Sequence, residues 1–126
     1  MSAERNSWQA SIYADTRLTA QEIASHLAQA LGGTVSGARA DIVIAERIQA
    51  DVTQYDRRPP SDPVDPEDAF LDFPYEIEIF TRDAFDEAAL IADVSAMLMA
   101  LDRLGVRHVT AADFENELPG GGRSGP

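Results

Sequence analysis

The sequence predicts an α+β fold, a single antiparallel sheet with two helices on one face. Three observations lead to it. Residues 73–79 carry Phe73, Tyr75, Ile77 and Ile79 at every second position, with Glu76 and Glu78 between them. Side chains on a strand alternate between faces, so one face of this strand is buried and the other can be wet. A strand with one carboxylate-bearing face belongs to a sheet covered on one side only. Two stretches of helical period, near 19–31 and 84–104, are separated by strand-like segments. The order along the chain is strand, helix, strand, strand, helix, strand.

The first strand is read over 8–15, where Trp8, Ala10, Ile12 and Ala14 face one way and Gln9, Ser11, Tyr13 and Asp15 the other. Thr19-Ala20-Gln21-Glu22 fits a capping box, and Leu18 and Ile23 stand where a hydrophobic staple would close over it. Ile23, Leu27, Ala30 and Leu31 then form the inward stripe of a helix that Gly32-Gly33 stops.

Residues 41–55 place Ile42, Ile44, Ile48, Ala50 and Val52 on one parity, interrupted by Glu46. One long strand with a bulge near Glu46 is the preferred reading. Two short strands meeting near 45–47 fit almost as well, although neither glycine nor proline marks a turn there. Thr34–Gly37 adds a short extension. Pro59, Pro60, Pro63 and Pro66, among Asp62, Asp65, Glu67 and Asp68, make 56–69 an acidic loop, since such dense prolines forbid helix and interior strand.

The organising strand, 72–82, follows. In the second helix Leu90, Val94, Leu98 and Leu101 give the period, flanked by Met97 and Leu104. Asp83 or Asp86 can cap it, and Gly105 ends it. Residues 106–111 read as the last strand. Residues 1–7 and 116–126 are expected to be disordered around one domain, 8–115. This order is that of the split βαβ, or ferredoxin-like, sandwich, with 8–15 and 72–82 as its central pair.

The formal net charge of −12 repels nucleic acid and anionic membranes and favours a basic protein partner. The chain lacks cysteine, which excludes disulfides, zinc-thiolate sites and thiol nucleophiles. No apolar run approaches the roughly 20 residues that span a bilayer, and the start does not look like a signal peptide. A cytoplasmic protein is the expectation.

The face opposite the helices should display Tyr13 and Asp15, then Gln49, Asp51, Thr53 and Tyr55, then Glu76, Glu78 and Phe80. Sheets of this topology that bind RNA stack bases on such aromatics over a basic field, and here the field has the wrong sign. The bland reading is a solvated sheet. The sharper one is a protein-binding surface in which Tyr13, Tyr55 and Phe80 are apolar anchors and Asp51, Glu76 and Glu78 steer a cationic partner.

His26 lies four residues after Glu22 and reads as half of a surface pair. His108 shares the parity of Thr110, whose facing the pattern leaves open. No metal-ligand spacing, phosphate-binding glycine loop or nucleophile–base arrangement is recognisable, so neither a cofactor nor a metal ion is expected.

Residues 70–78, Phe-Leu-Asp-Phe-Pro-Tyr-Glu-Ile-Glu, together with 113–119, Asp-Phe-Glu-Asn-Glu-Leu-Pro, resemble small acidic proteins of actinobacteria. More distantly, they are similar to the immunity proteins of polymorphic toxin systems. The resemblance covers roughly the second half of the chain and implies a binding protein without catalysis, covering a basic toxin. The competing expectation is a ferredoxin-like homodimer that encloses a small-molecule or enzyme pocket between its sheets, lined by Phe80 and Tyr13 with His108 as the titrating group.

Overall fold

A computed structural model describes residues 9–55, 73–82, 87–112 and 118. The elements are β1 (Gln9–Asp15), α1 (Ala20–Leu31), β2 (Thr34–Ser36), β3 (Ile42–Ile44), β4 (Ile48–Gln54), β5 (Tyr75–Thr81), α2 (Glu87–Arg103) and β6 (Arg107–Ala111). Six strands form one sheet in the order β2-β3-β4-β5-β1-β6, and every neighbouring pair is antiparallel. The α+β class and the central β1–β5 pair are as the sequence predicts. Strands β6-β1-β5-β4, with α1 following β1 and α2 following β5, do not conflict with a split βαβ arrangement. The hairpin of β2 and β3 extends that set at its β4 edge.

Parity decides which side is core. Ala10, Ile12 and Ala14, then Ile48, Ala50 and Val52, then Tyr75, Ile77 and Ile79 are all buried. They form one cluster with Ile23, Ala24, Leu27 and Ala28 of α1 and Leu90, Val94, Met97, Leu98 and Leu101 of α2. The two helices also touch each other, so both lie on the same face. Alternate residues Ser11, Tyr13, Asp15, Gln49, Asp51, Thr53, Glu76, Glu78 and Phe80 are half-buried on the other face. The inward stripe of α1 is rotated from the expected one: Ala24 and Ala28 go in, and Ala30 is exposed.

The start of α1 follows its local chemistry. Thr19 Oγ1 accepts from the Glu22 amide at 3.1 Å, and the Thr19 amide donates to Glu22 Oε1 at 2.9 Å. The bond from the Thr19 amide, and secondarily the Thr19 side chain, favour the ionised carboxylate and hold Glu22 below the usual carboxylate range, with a smaller contribution from His26. At the other end Gly32 adopts φ 66°, a left-handed conformation that glycine reaches without strain. Gly33 has a different reason to be glycine: a Cβ there would run into the Ile44 carbonyl oxygen.

The single bent strand expected over 41–55 is incorrect. The chain turns at Glu46–Arg47, and β3 pairs back on β4 with Ile44 opposite Gln49 and Ile42 opposite Asp51. The Ala45 amide donates to the Ile48 carbonyl at 2.9 Å. This turn uses no left-handed residue, because Ala40 is the only non-glycine with positive φ among the described residues. It is held from outside. Arg47 makes a two-pronged ion pair with Asp93 of α2, at 2.7 and 3.2 Å. Arg82 donates through its side chain to the Ala45 carbonyl and through its amide to the Arg47 carbonyl. The turn reverses the assignment of faces, so Val43 and Ala45 are buried while Ile42 and Ile44 are only half-buried.

Phe73 and His108 take particular places. Phe73 is buried but stands outside the helix-side core cluster, with the Arg107 guanidinium 5.1 Å from its ring centroid. Burial alternates from Phe73 to Phe80, although β5 itself begins at Tyr75, after Pro74. His108 faces inward, 1 % exposed, with its Nε2 2.7 Å from Asp102 Oδ1 in the last turn of α2. Trp8, the proline-rich loop 56–69, the candidate caps Asp83 and Asp86, residues 113–117 and both termini lie outside the described residues.

Candidate protein-binding face

Strand register brings the six site residues read from sequence onto one surface. Glu76, Glu78 and Phe80 follow one another along β5, each two residues apart and therefore on the same side. Across β4, Asp51 stands opposite Glu78, Thr53 opposite Glu76 and Gln49 opposite Phe80. Across β1, Ser11 stands opposite Glu78 and Tyr13 opposite Glu76. Tyr55, just past the end of β4, donates its hydroxyl to Glu76 Oε1 at 3.1 Å, and its amide donates to the Pro74 carbonyl. Tyr13 and Phe80 are half-buried, whereas Tyr55 is among the few large apolar side chains that are exposed.

The three central carboxylates differ in how they are held. Both oxygens of Glu76 accept hydroxyl hydrogen bonds, from Tyr55 and, at 3.0 Å, from Ser11 Oγ. Asp51 accepts from Gln49 Nε2 at 2.9 Å. Glu78 has no hydrogen-bond or ion-pair partner among the described residues. Like charges placed directly opposite each other on a sheet destabilise it, and Asp51 with Glu78 is such a pair. Among the described residues no cation is ion-paired with Asp51, Glu76 or Glu78. At the rim of the face, Arg107 pairs with Asp15 at 3.3 Å.

Four members of this surface were not singled out by the sequence reading. Ser11 is a donor to Glu76, and its parity with Tyr13 could have indicated it. Arg107 adds a rim cation, legible once the facing of β6 is known. Ile42 and Ile44 widen the face with apolar area, and in an Ile-Val-Ile run no periodicity distinguishes the two sides. His108 is not on this face, so the homodimer reading loses the titrating group it assigned there.

No group of three or more histidine, cysteine or acidic side chains able to hold a metal ion occurs among the described residues. No helix among them is long and apolar enough to cross a membrane. Compared with protein-family models, curated proteins and solved structures, the chain has no match.

Proposed function

We propose that the open face of the sheet is a docking surface for a cationic protein. The observation that carries this reading is the Asp51–Glu78 pair, two carboxylates directly opposed across β4–β5 and ion-paired with no cation among the described residues. Folding gains nothing from that juxtaposition. A partner's arginine or lysine would convert it from a cost into a charge-assisted contact. Glu76 is already oriented by two hydroxyls, so little freedom is lost when it engages a cation. Tyr55, Tyr13 and Phe80 supply the apolar area that such a contact needs at its centre. The surface presents carboxylates as nucleic acid presents phosphates, which suits a basic toxin that acts on nucleic acid. Pairing of two copies through the same face would oppose carboxylates to their symmetry mates, which disfavours it.

Affinity capture from the native host at low and at high salt tests the proposal. A strongly basic protein retained at low salt and released at high salt supports it. Recovery of no basic protein at low salt contradicts it.

A further inference from the structure

A second site lies where β4 ends, and of the docking-face residues only Thr53 lines it. A cleft of about 660 Å³ opens between the start of α1, the turn 37–41 and the end of β4. Its polar lining is Thr19, Gln21, Arg39, Asp41, Thr53 and Gln54, and no aromatic residue contributes. The volume falls within the range of small-molecule sites.

The turn that carries Arg39 and Asp41 is held from two sides and closed by a hydrogen bond of its own. Gln21 Nε2 donates to the Arg39 carbonyl at 3.0 Å, and the Val52 amide donates to the Asp41 carbonyl at 2.9 Å. The Ala40 amide donates to the Gly37 carbonyl at 3.1 Å. Between the two charged residues Ala40 sits at φ 55°, a left-handed conformation costly for a residue with a Cβ. Such strain persists where the surroundings over-determine the backbone. Arg39 and Asp41 form no ion pair, with each other or elsewhere, among the described residues. The cleft therefore presents one positive and one negative group, each uncompensated, on a fixed backbone. Amides and hydroxyls surround them. The first-turn amide of Glu22 is already taken by the capping box, so the charged pair is the distinctive feature.

We infer that this cleft binds a small zwitterion of the amino-acid class, its carboxylate on Arg39 and its ammonium on Asp41. A guanidinium matches a carboxylate with two parallel hydrogen bonds, and a carboxylate matches an ammonium. The remaining volume would take a side chain or a second residue, contacted by Gln21, Gln54 and the threonines. This inference is independent of the docking proposal.

The test is a heteronuclear NMR titration of the whole protein with free amino acids and dipeptides. Each is compared with its amide, which lacks the carboxylate, and its des-amino analogue, which lacks the ammonium. The expected result is saturable shifts confined to residues 19–21, 38–41 and 52–54. Affinity should fall about tenfold or more when either ligand charge, or either protein charge in R39Q or D41N, is removed, as loss of a charged hydrogen bond implies. Arg39 is exposed, and Asp41 anchors the turn through its backbone carbonyl, so both variants should keep the wild-type amide spectrum elsewhere. Absence of shifts with every zwitterion overturns the inference, as do shifts elsewhere or equal binding of the singly charged analogues.

Discussion

Asp51 and Glu78 face each other directly across the β4–β5 ladder, both half-buried and with no cation ion-paired to either among the described residues. Like charges in that position are expected to cost roughly 0.2–1 kcal/mol. Replacing Asp51 with Asn should therefore raise the midpoint of chemical denaturation slightly. The gain should shrink in high salt, where the repulsion is already screened. A clear loss of stability in D51N would show that the pair is structural.

The capping box makes α1 sensitive to acid. Glu22 is held below the usual carboxylate range by hydrogen bonding to Thr19, first through the backbone amide. A carboxylate with a lower pKa in the folded than in the unfolded chain adds stability above the unfolded value, and that increment is lost as pH falls through the folded value. Thr19→Ala should cost about 1 kcal/mol near neutral pH. Glu22→Gln removes the titrating carboxylate itself, so its denaturation midpoints should fall less steeply from neutral to acid pH than those of wild type.

Tyr75 gives the opposite sign at the alkaline end. Its ring is buried and its hydroxyl donates to the Leu18 carbonyl at 2.6 Å. Burial, and secondarily the charge of Glu22, raise its pKa above the ordinary tyrosine value. The stability this provides is complete below the unfolded value and lost as pH rises through the folded one. Tyr75→Phe should cost about 1 kcal/mol near neutral pH. Its stability should then decline less than that of wild type above pH 10, measured by denaturant titration at several alkaline pH values.

Ala40 gives a stabilising substitution. At φ 55° its Cβ is a liability, and glycine carries no such penalty. Ala40→Gly should stabilise the fold by up to about 1 kcal/mol, offset in part by the extra freedom of glycine in the unfolded chain. Thermal melting is the measurement, and a lower midpoint would mean that the Cβ makes a contact worth more than the strain.

Much of this fold was legible because local signals agreed with the final packing. The Thr19–Glu22 cap, the Gly32 stop and the alternation from Tyr75 to Ile79 each state one conformation and one buried side. The β3–β4 hairpin was not legible, for a physical reason. Its turn needs no glycine, and the groups that hold it, Asp93 and Arg82, are remote in sequence from Glu46 and Arg47. With the turn hidden, Ile42 and Ile44 looked like core, although Val43 and Ala45 fill that role. Phe73 is buried in phase with Tyr75, Ile77 and Ile79, but it precedes the strand and lies outside the helix-side cluster, which periodicity cannot show. Parity alone puts the six face residues and Ser11 on one side, but Arg107 needed the register of β6 against β1.

The docking proposal depends on position, beyond net charge. The most direct measurement is the Kd of the captured basic partner for E78Q and for E46Q, two substitutions that remove the same charge. Glu78 lies at the centre of the face, and Glu46 is exposed at the tip of the β3–β4 turn. Binding weakened about tenfold by E78Q and nearly unchanged by E46Q is the expected result. Equal weakening by both, or no effect of E78Q, would contradict a docking surface centred on this pair.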